Sequence, residues 1–140
     1  MLRKLPSLLS ALLACLWLST TAAGVEPTYK NEKYDTKHER NVLDFWKAES
    51  SKPTPVVIYF HGGGFVQGDK GQIPSRGIIK KYLEAGVSFA SCNYPFIANQ
   101  GPAEYTKVMR HCGRAIQFLR SKSKEWNIDQ KRFGAVGASA

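Results

Sequence analysis

Val56-Val57-Ile58-Tyr59-Phe60-His61-Gly62-Gly63-Gly64 is the stretch on which the fold turns. Five apolar residues in a row, without polar alternation, describe a strand buried on both faces, the habit of a parallel sheet covered by helices. The linker Ser50-Ser51-Lys52-Pro53-Thr54-Pro55 leads into it and three glycines lead out. Glycines directly after a buried strand let the backbone aim N–H groups at a developing negative charge with no side chain in the way. A phosphate cradle would also use glycines. The chain has no G-x-x-x-x-G-K-[ST], and residues 61–68 hold no G-x-G-x-x-G leading into a helix with a following acid, which excludes a nucleotide site.

Outward from this strand, Asn41-Val42-Leu43-Asp44-Phe45-Trp46 reads as a strand, and residues 25–40 read as a polar, irregular arm. Residues 73–85 read as a helix opened by Pro74, striped by Ile78, Ile79, Tyr82 and Leu83, and stopped by Gly86. Residues 87–94 form another strand. The clearest helix covers about residues 102–126, with Tyr105, Val108, Met109, Cys112, Ile116 and Leu119 on one face at spacings of three and four. Asn127-Ile128-Asp129-Gln130 is a turn before a strand over residues 132–136. The order predicts an α/β fold with a parallel sheet and right-handed crossovers.

That last strand runs into Gly137-Ala138-Ser139-Ala140, the first four positions of a G-x-S-x-G nucleophile elbow. A serine hydroxyl is a weak nucleophile and must meet both a base and a substrate. A sharp strand-to-helix turn lifts it off the sheet edge, and a small residue two positions before it, here Gly137, prevents a clash across that turn. A plainer reading makes Ser139 the N-cap of a following helix. The glycine loop on its own buried strand favours the elbow, because the two devices serve one reaction.

In elbow chemistry the base histidine follows the serine in sequence. His38, His61 and His111 all precede Ser139, so His61 is expected to hold the glycine loop in shape, and the other two have no evident role. Asp69 reads equally as a brace for that loop or as a turn residue. Cys92 falls in a buried strand and Cys112 on a helix face. Both read as small buried hydrophobes, and no spacing suggests a metal site.

Residues 1–23 carry a basic start (Arg3, Lys4), an apolar stretch over residues 8–18 and small residues at Ala22 and Ala23. This is the outline of an export signal with cleavage after Ala23, and the apolar stretch falls short of the roughly 20 residues a bilayer span needs. Lipid attachment at Cys15 is the minor alternative. The net charge is +9, and without Arg3 and Lys4 it is near +7. The cations are spread along the chain with no interleaved aromatic platform, which predicts a solvated surface with no nucleic-acid partner.

His61-Gly62-Gly63-Gly64-Phe65, Gly68-Asp69-Lys70, Asn93-Tyr94 and Gly137-Ala138-Ser139-Ala140 together resemble the α/β-hydrolase esterase/lipase group with an HGGG loop, which includes carboxylesterases and the hormone-sensitive-lipase-like and feruloyl-esterase-like branches. Residues 114–120 and Trp126-Asn127-Ile128-Asp129 are similar to the helix and turn that precede the elbow there. The resemblance implies residues 24–140 as the N-terminal portion of such a domain, an incomplete, mostly parallel sheet with flanking helices. It implies Ser139 as catalytic nucleophile, the N–H groups of Gly63, Gly64 and Ala140 as oxyanion hole, and His61 and Gly62 as loop support. It also implies an exported enzyme acting on small-molecule or carbohydrate-linked esters through an acyl-enzyme, without metal or organic cofactor. Where the group often carries an aspartate on the long helix, this chain has His111. No residue here matches the triad acid or histidine, so the 140-residue chain is expected to be inactive by itself. A related serine peptidase or amidase, a non-catalytic binding protein of the same fold, and an anion-binding surface protein are the alternatives.

Overall fold

The computed structural model describes residues 24–73 and 75–139, and all but the side chain of Arg76 among them. The proposed export signal, Cys15, Pro74 and Ala140 lie outside the described residues. Five strands and three helices follow one another as β1 (Tyr29–Lys33), β2 (Val42–Trp46), β3 (Thr54–Phe60), α1 (Arg76–Glu84), β4 (Ser88–Cys92), α2 (Pro102–Ser121), α3 (Ser123–Trp126) and β5 (Ile128–Gly137). The strands form one sheet in the order β1-β2-β4-β3-β5. β3 pairs in parallel with β4 and β5, while β2 pairs antiparallel with β1 and β4. The sheet is therefore mixed, with its parallel half around β3 and an antiparallel margin.

Helices cover both faces, as the unbroken apolar reading of β3 requires. On one face Val56 and Ile58 join Leu43, Phe45, Ala115, Leu119 and Trp126 in the larger core. On the other, Tyr59, Trp46 and Phe89 pack with Ile79 of α1. Trp126 is 1% exposed. Its ring stacks on Phe45 at 4.8 Å and on Tyr29 at 4.4 Å, tying α3 to β2 and β1.

Four details differ from the sequence reading. The arm contains β1, a polar edge strand with a register shift between Tyr29 and Glu32. Asn31 takes φ +57° there and donates its N–H to Asp44 Oδ1 at 2.8 Å, so the bulge is fixed by a side chain of the neighbouring strand. The long helix stops at Ser121, and α3 is a separate turn ended by Asn127 in the left-handed region. β5 starts at Ile128, where a turn was expected. Met109, placed on the apolar face of α2, is 51% exposed.

Trp126→Ala removes the largest fully buried side chain and its two stacking partners, and should cost about 3–5 kcal/mol. Urea unfolding of the variant beside the parent checks this.

Candidate functional site

The pairing of β3 with β5 brings the two sequence motifs together. Phe60 lies opposite Gly137, and the Ala138 N–H donates to Phe60 O at 3.3 Å. Residues 61–64 and 138–139 therefore leave the same end of the sheet side by side. Ser139 sits at φ +47°, a left-handed conformation that is strained for a residue with a side chain. The residue is exposed.

Gly62 makes the closest approach between the two segments. A Cβ on it would lie 2.3 Å from Ala138 O and 3.2 Å from Ser139 Cβ. Gly63 and Gly64 follow at φ +121° and +61°, and the turn is closed by the N–H groups of Val66 and Gln67 on Gly63 O. Among the described residues, neither the Gly63 nor the Gly64 N–H donates to a protein acceptor. The loop that carries these two unbonded donors touches the serine segment at Gly62.

His61 is 2% exposed and engaged at both ring nitrogens. Nδ1 meets Gly62 O at 2.7 Å, and because a carbonyl only accepts, that nitrogen carries the proton. Nε2 is then the acceptor facing the Arg40 guanidinium, at 3.5 Å. The Tyr94 ring stacks on the imidazole at 4.4 Å, and its hydroxyl donates to His61 O. Burial pushes the Tyr94 hydroxyl up to about 12, against the pull of Arg40, so it stays a donor. His61 is built into the wall with no nitrogen left for a base's work.

Arg40 is the member that the sequence reading missed. It leaves the arm before β2, donates from Nε to Tyr94 O at 2.9 Å and from a terminal nitrogen to Gly68 O at 2.9 Å, and lies 3.8 Å over the Phe96 ring. Gly68 must be glycine at this contact, since a Cβ would fall 2.3 Å from His61 Nδ1. Nothing in the local pattern around Arg40 signals this, because every hydrogen-bond partner of its side chain is at least 21 residues away.

A second clasp holds the Gly68-Asp69-Lys70 segment. The Asn93 side chain donates to Asp69 Oδ2 at 2.8 Å and accepts from the Lys70 N–H at 2.6 Å. Lys70 Nζ reaches Asp44 Oδ2 at 2.6 Å, with both side chains about nine-tenths buried. Burial opposes ionisation of Asp69, but hydrogen bonds from Asn93 and the Gly71 N–H, with Lys70 and Arg40 nearby, outweigh it and hold the carboxyl below its ordinary value.

Beside Ser139 opens a cavity of about 250 Å³ walled by Phe60, Phe65, Tyr94, Met109 and Cys112. This accounts for the exposure of Met109. Burial pushes the Cys112 thiol up to about 12, so it is no competing nucleophile at neutral pH. Cys92, buried as expected, is likewise a free thiol held well above its ordinary value by burial. His111 is not brought to the site. It lies near Asp35 and Arg114, which pair at 3.0 Å, and burial with the Arg114 charge holds it below the usual histidine value. His38 accepts from the Arg40 N–H at 3.0 Å on the exposed arm. Among the described residues no group of three or more His, Cys, Asp or Glu could hold a metal ion, and no helix is long and apolar enough to cross a membrane.

Two outcomes follow from this geometry. Gly62→Ala must push the loop away from Ala138 O and should cost about 1–3 kcal/mol in urea unfolding. Asp69 has a depressed folded-state pKa, so its contribution is complete above the unfolded value near 3.9 and fades as pH falls through the lower folded value. The destabilisation caused by Asp69→Asn should therefore be largest at neutral pH and shrink in acid. A difference that grew below about pH 3 would contradict the clasp.

The profile of the BD-FAE family matches residues 43–140. No curated protein matches the chain. Among solved structures, a truncated carbohydrate esterase from gut microbiota is similar at 23% identity and TM-score 0.64, covering 81% of this chain and 41% of that one. A butyrate-bound esterase, Est2, from Thermogutta terrifontis is similar at 21% identity and TM-score 0.65, with coverage of 81% and 41%. An acetyl ester-xyloside bifunctional hydrolase from Caldicellulosiruptor lactoaceticus stands at 27% identity and TM-score 0.58, with coverage of 84% and 43%. The chain thus spans about two-fifths of the length of these structures, whose fold its mixed sheet and flanking helices share in part. With most of its length inside the family profile, the chain belongs to the BD-FAE family of α/β-hydrolase esterases.

Proposed function

We propose that Ser139 is the nucleophile of a serine hydrolase acting on carboxylic esters. The observation that carries this is the strained Ser139 at φ +47°, set against a glycine loop whose Gly63 and Gly64 N–H groups are free. Its Oγ attacks the ester carbonyl carbon and gives up its proton to a base. The carbonyl oxygen becomes an oxyanion, held by the N–H groups of Gly63 and Gly64, with the Ala140 N–H as third donor. Such donors contribute about 3–4 kcal/mol each to the transition state. The tetrahedral intermediate collapses, the alcohol leaves with a proton, and water releases the acid from the acyl-serine. His61 and Gly62 shape the loop, and Arg40 and Tyr94 hold His61.

The base comes from outside the described residues, since His61 has both nitrogens engaged and His38 and His111 lie elsewhere. The 140-residue chain alone accordingly does not turn over esters. The apolar cavity beside Ser139 suits a small acyl or alcohol group, and the carbohydrate-ester names among the similar structures support a sugar-linked ester as substrate. The basic and apolar pattern of residues 1–23 supports export.

One experiment separates these statements. With imidazole supplied as an external base, paraoxon should leave a single diethylphosphoryl group on Ser139, located by peptide mass spectrometry and absent from Ser139→Ala. Equal labelling of Ser139→Ala would end the nucleophile assignment. Without imidazole, p-nitrophenyl acetate should be hydrolysed by the chain at the uncatalysed rate. A Ser139-dependent rate above it would mean that a base is present within the chain.

A further inference from the structure

At the end of the sheet opposite Ser139 lies a second, larger groove of about 820 Å³, built from the entry to β3, the α3 turn and the first residues of β5. Lys52, Lys124, Lys131 and Arg132 line it, against a single acid, Asp129. Arg132 is committed to Asp129 through Nε and to Pro53 O at 2.7 Å, so this acid is neutralised within the groove wall. Lys52, Lys124 and Lys131 are all exposed and form no ion pair among the described residues. The three come from sequence positions 52, 124 and 131, and only the folding of α3 against β3 and β5 gathers them into one field.

The amides between the lysines are half used. Asn127 Nδ2 donates to Ser50 O and Lys52 O at 2.9 and 3.1 Å, leaving Oδ1 open. Gln130 Nε2 donates to Ser123 Oγ and Arg120 O at 2.6 and 3.2 Å, leaving Oε1 open. The groove thus offers three ammonium groups for carboxylates and two fixed carbonyl oxygens for hydroxyl donors. No aromatic ring lines it on which a nucleobase could stack, and its apolar members, Pro53 and Ile128, form no anchor for a bilayer.

We propose that this groove binds an acidic polysaccharide, a chain whose sugars carry both carboxylates and hydroxyls. At about 3.3 Å per residue, the seven positions from Arg132 to Ser139 place it about 23 Å from the nucleophile, the span of a few sugar units. It would hold a polymer while an ester further along that polymer reaches Ser139. Only this last consequence rests on the ester-hydrolase reading; the binding itself does not.

The test is retardation of the intact 140-residue protein in native gels containing polygalacturonate. The parent should be retarded at low salt and released at about 0.5 M NaCl. The variant Lys52→Gln/Lys124→Gln/Lys131→Gln should bind at least about tenfold more weakly, with an unchanged far-ultraviolet dichroism spectrum. Lys30→Gln/Lys33→Gln/Lys37→Gln, which removes the same charge elsewhere, should bind as the parent does. Equal weakening by both triple variants would reduce the effect to net charge and overturn the proposal. Equal affinity for carboxyl-reduced polymer, for a single-stranded oligonucleotide or for phosphatidylglycerol vesicles would overturn it too. Ser139→Ala should bind polygalacturonate undiminished, so a failed nucleophile assignment and a failed groove give different results.

Discussion

The site depends on one register. Phe60 opposite Gly137 in the parallel pairing of β3 with β5 decides that the glycine loop and the serine turn emerge together. A parallel strand slipped by one residue would turn every side chain to the other face, and the shared core forbids it. Val56 and Ile58 belong to the α2 side, and Tyr59 belongs to the α1 side. Apolar packing along the whole of β3 thus fixes a polar contact at its end. Burial, which has no direction of its own, acquires one through the alternation of the strand.

Register alone would leave residues 61–70 free to wander, and two separate tethers prevent this. Arg40 binds backbone oxygens on both sides of the loop, at Gly68 and Tyr94, while the Asn93 amide clasps Asp69 and Lys70. Both tethers rest on the end of β4, the strand on the other side of β3. The glycine loop is therefore anchored by β3, closed against β5 and braced from β4. The buried Lys70–Asp44 pair extends the brace to β2. An ion pair this deep gains little net stability over apolar residues, yet removing one partner strands the other charge, so it acts to specify position.

What was legible in the sequence divides along the same line. β3, the glycine loop, β4, α2 and the Gly137-Ala138-Ser139 turn were legible because each is written in contiguous residues: an apolar run, a glycine run, a helical stripe. β1 was not, because nothing in Tyr29-Lys30-Asn31-Glu32-Lys33 alternates. β1 exists through distant partners, Asp44 at its bulge and Trp126 stacked on Tyr29. Arg40 looked like one more solvated cation in a polar arm for the same reason. Met109 obeyed helical spacing and still came out exposed, since the apolar stripe of α2 extends past the core to the cavity beside Ser139. Periodicity identifies a face but cannot say whether another element covers it.

The strain at Ser139 is best understood through these constraints. A left-handed serine costs about 1–3 kcal/mol and persists only where its surroundings over-determine it. Here the Ala138 N–H is held by Phe60 O, and Gly62, lacking a Cβ, lets Ala138 O and Ser139 Cβ approach the loop. A side chain at position 62 would collide with Ala138 O, so the loop and the serine turn could not keep this contact. The glycine loop therefore does two things at once. Gly63 and Gly64, at positive φ, turn the chain with their N–H groups unbonded, while Gly62 permits the contact with the serine turn. His61 is not free to act as a base in such an arrangement, because Gly62 O and the Arg40 guanidinium occupy both of its nitrogens.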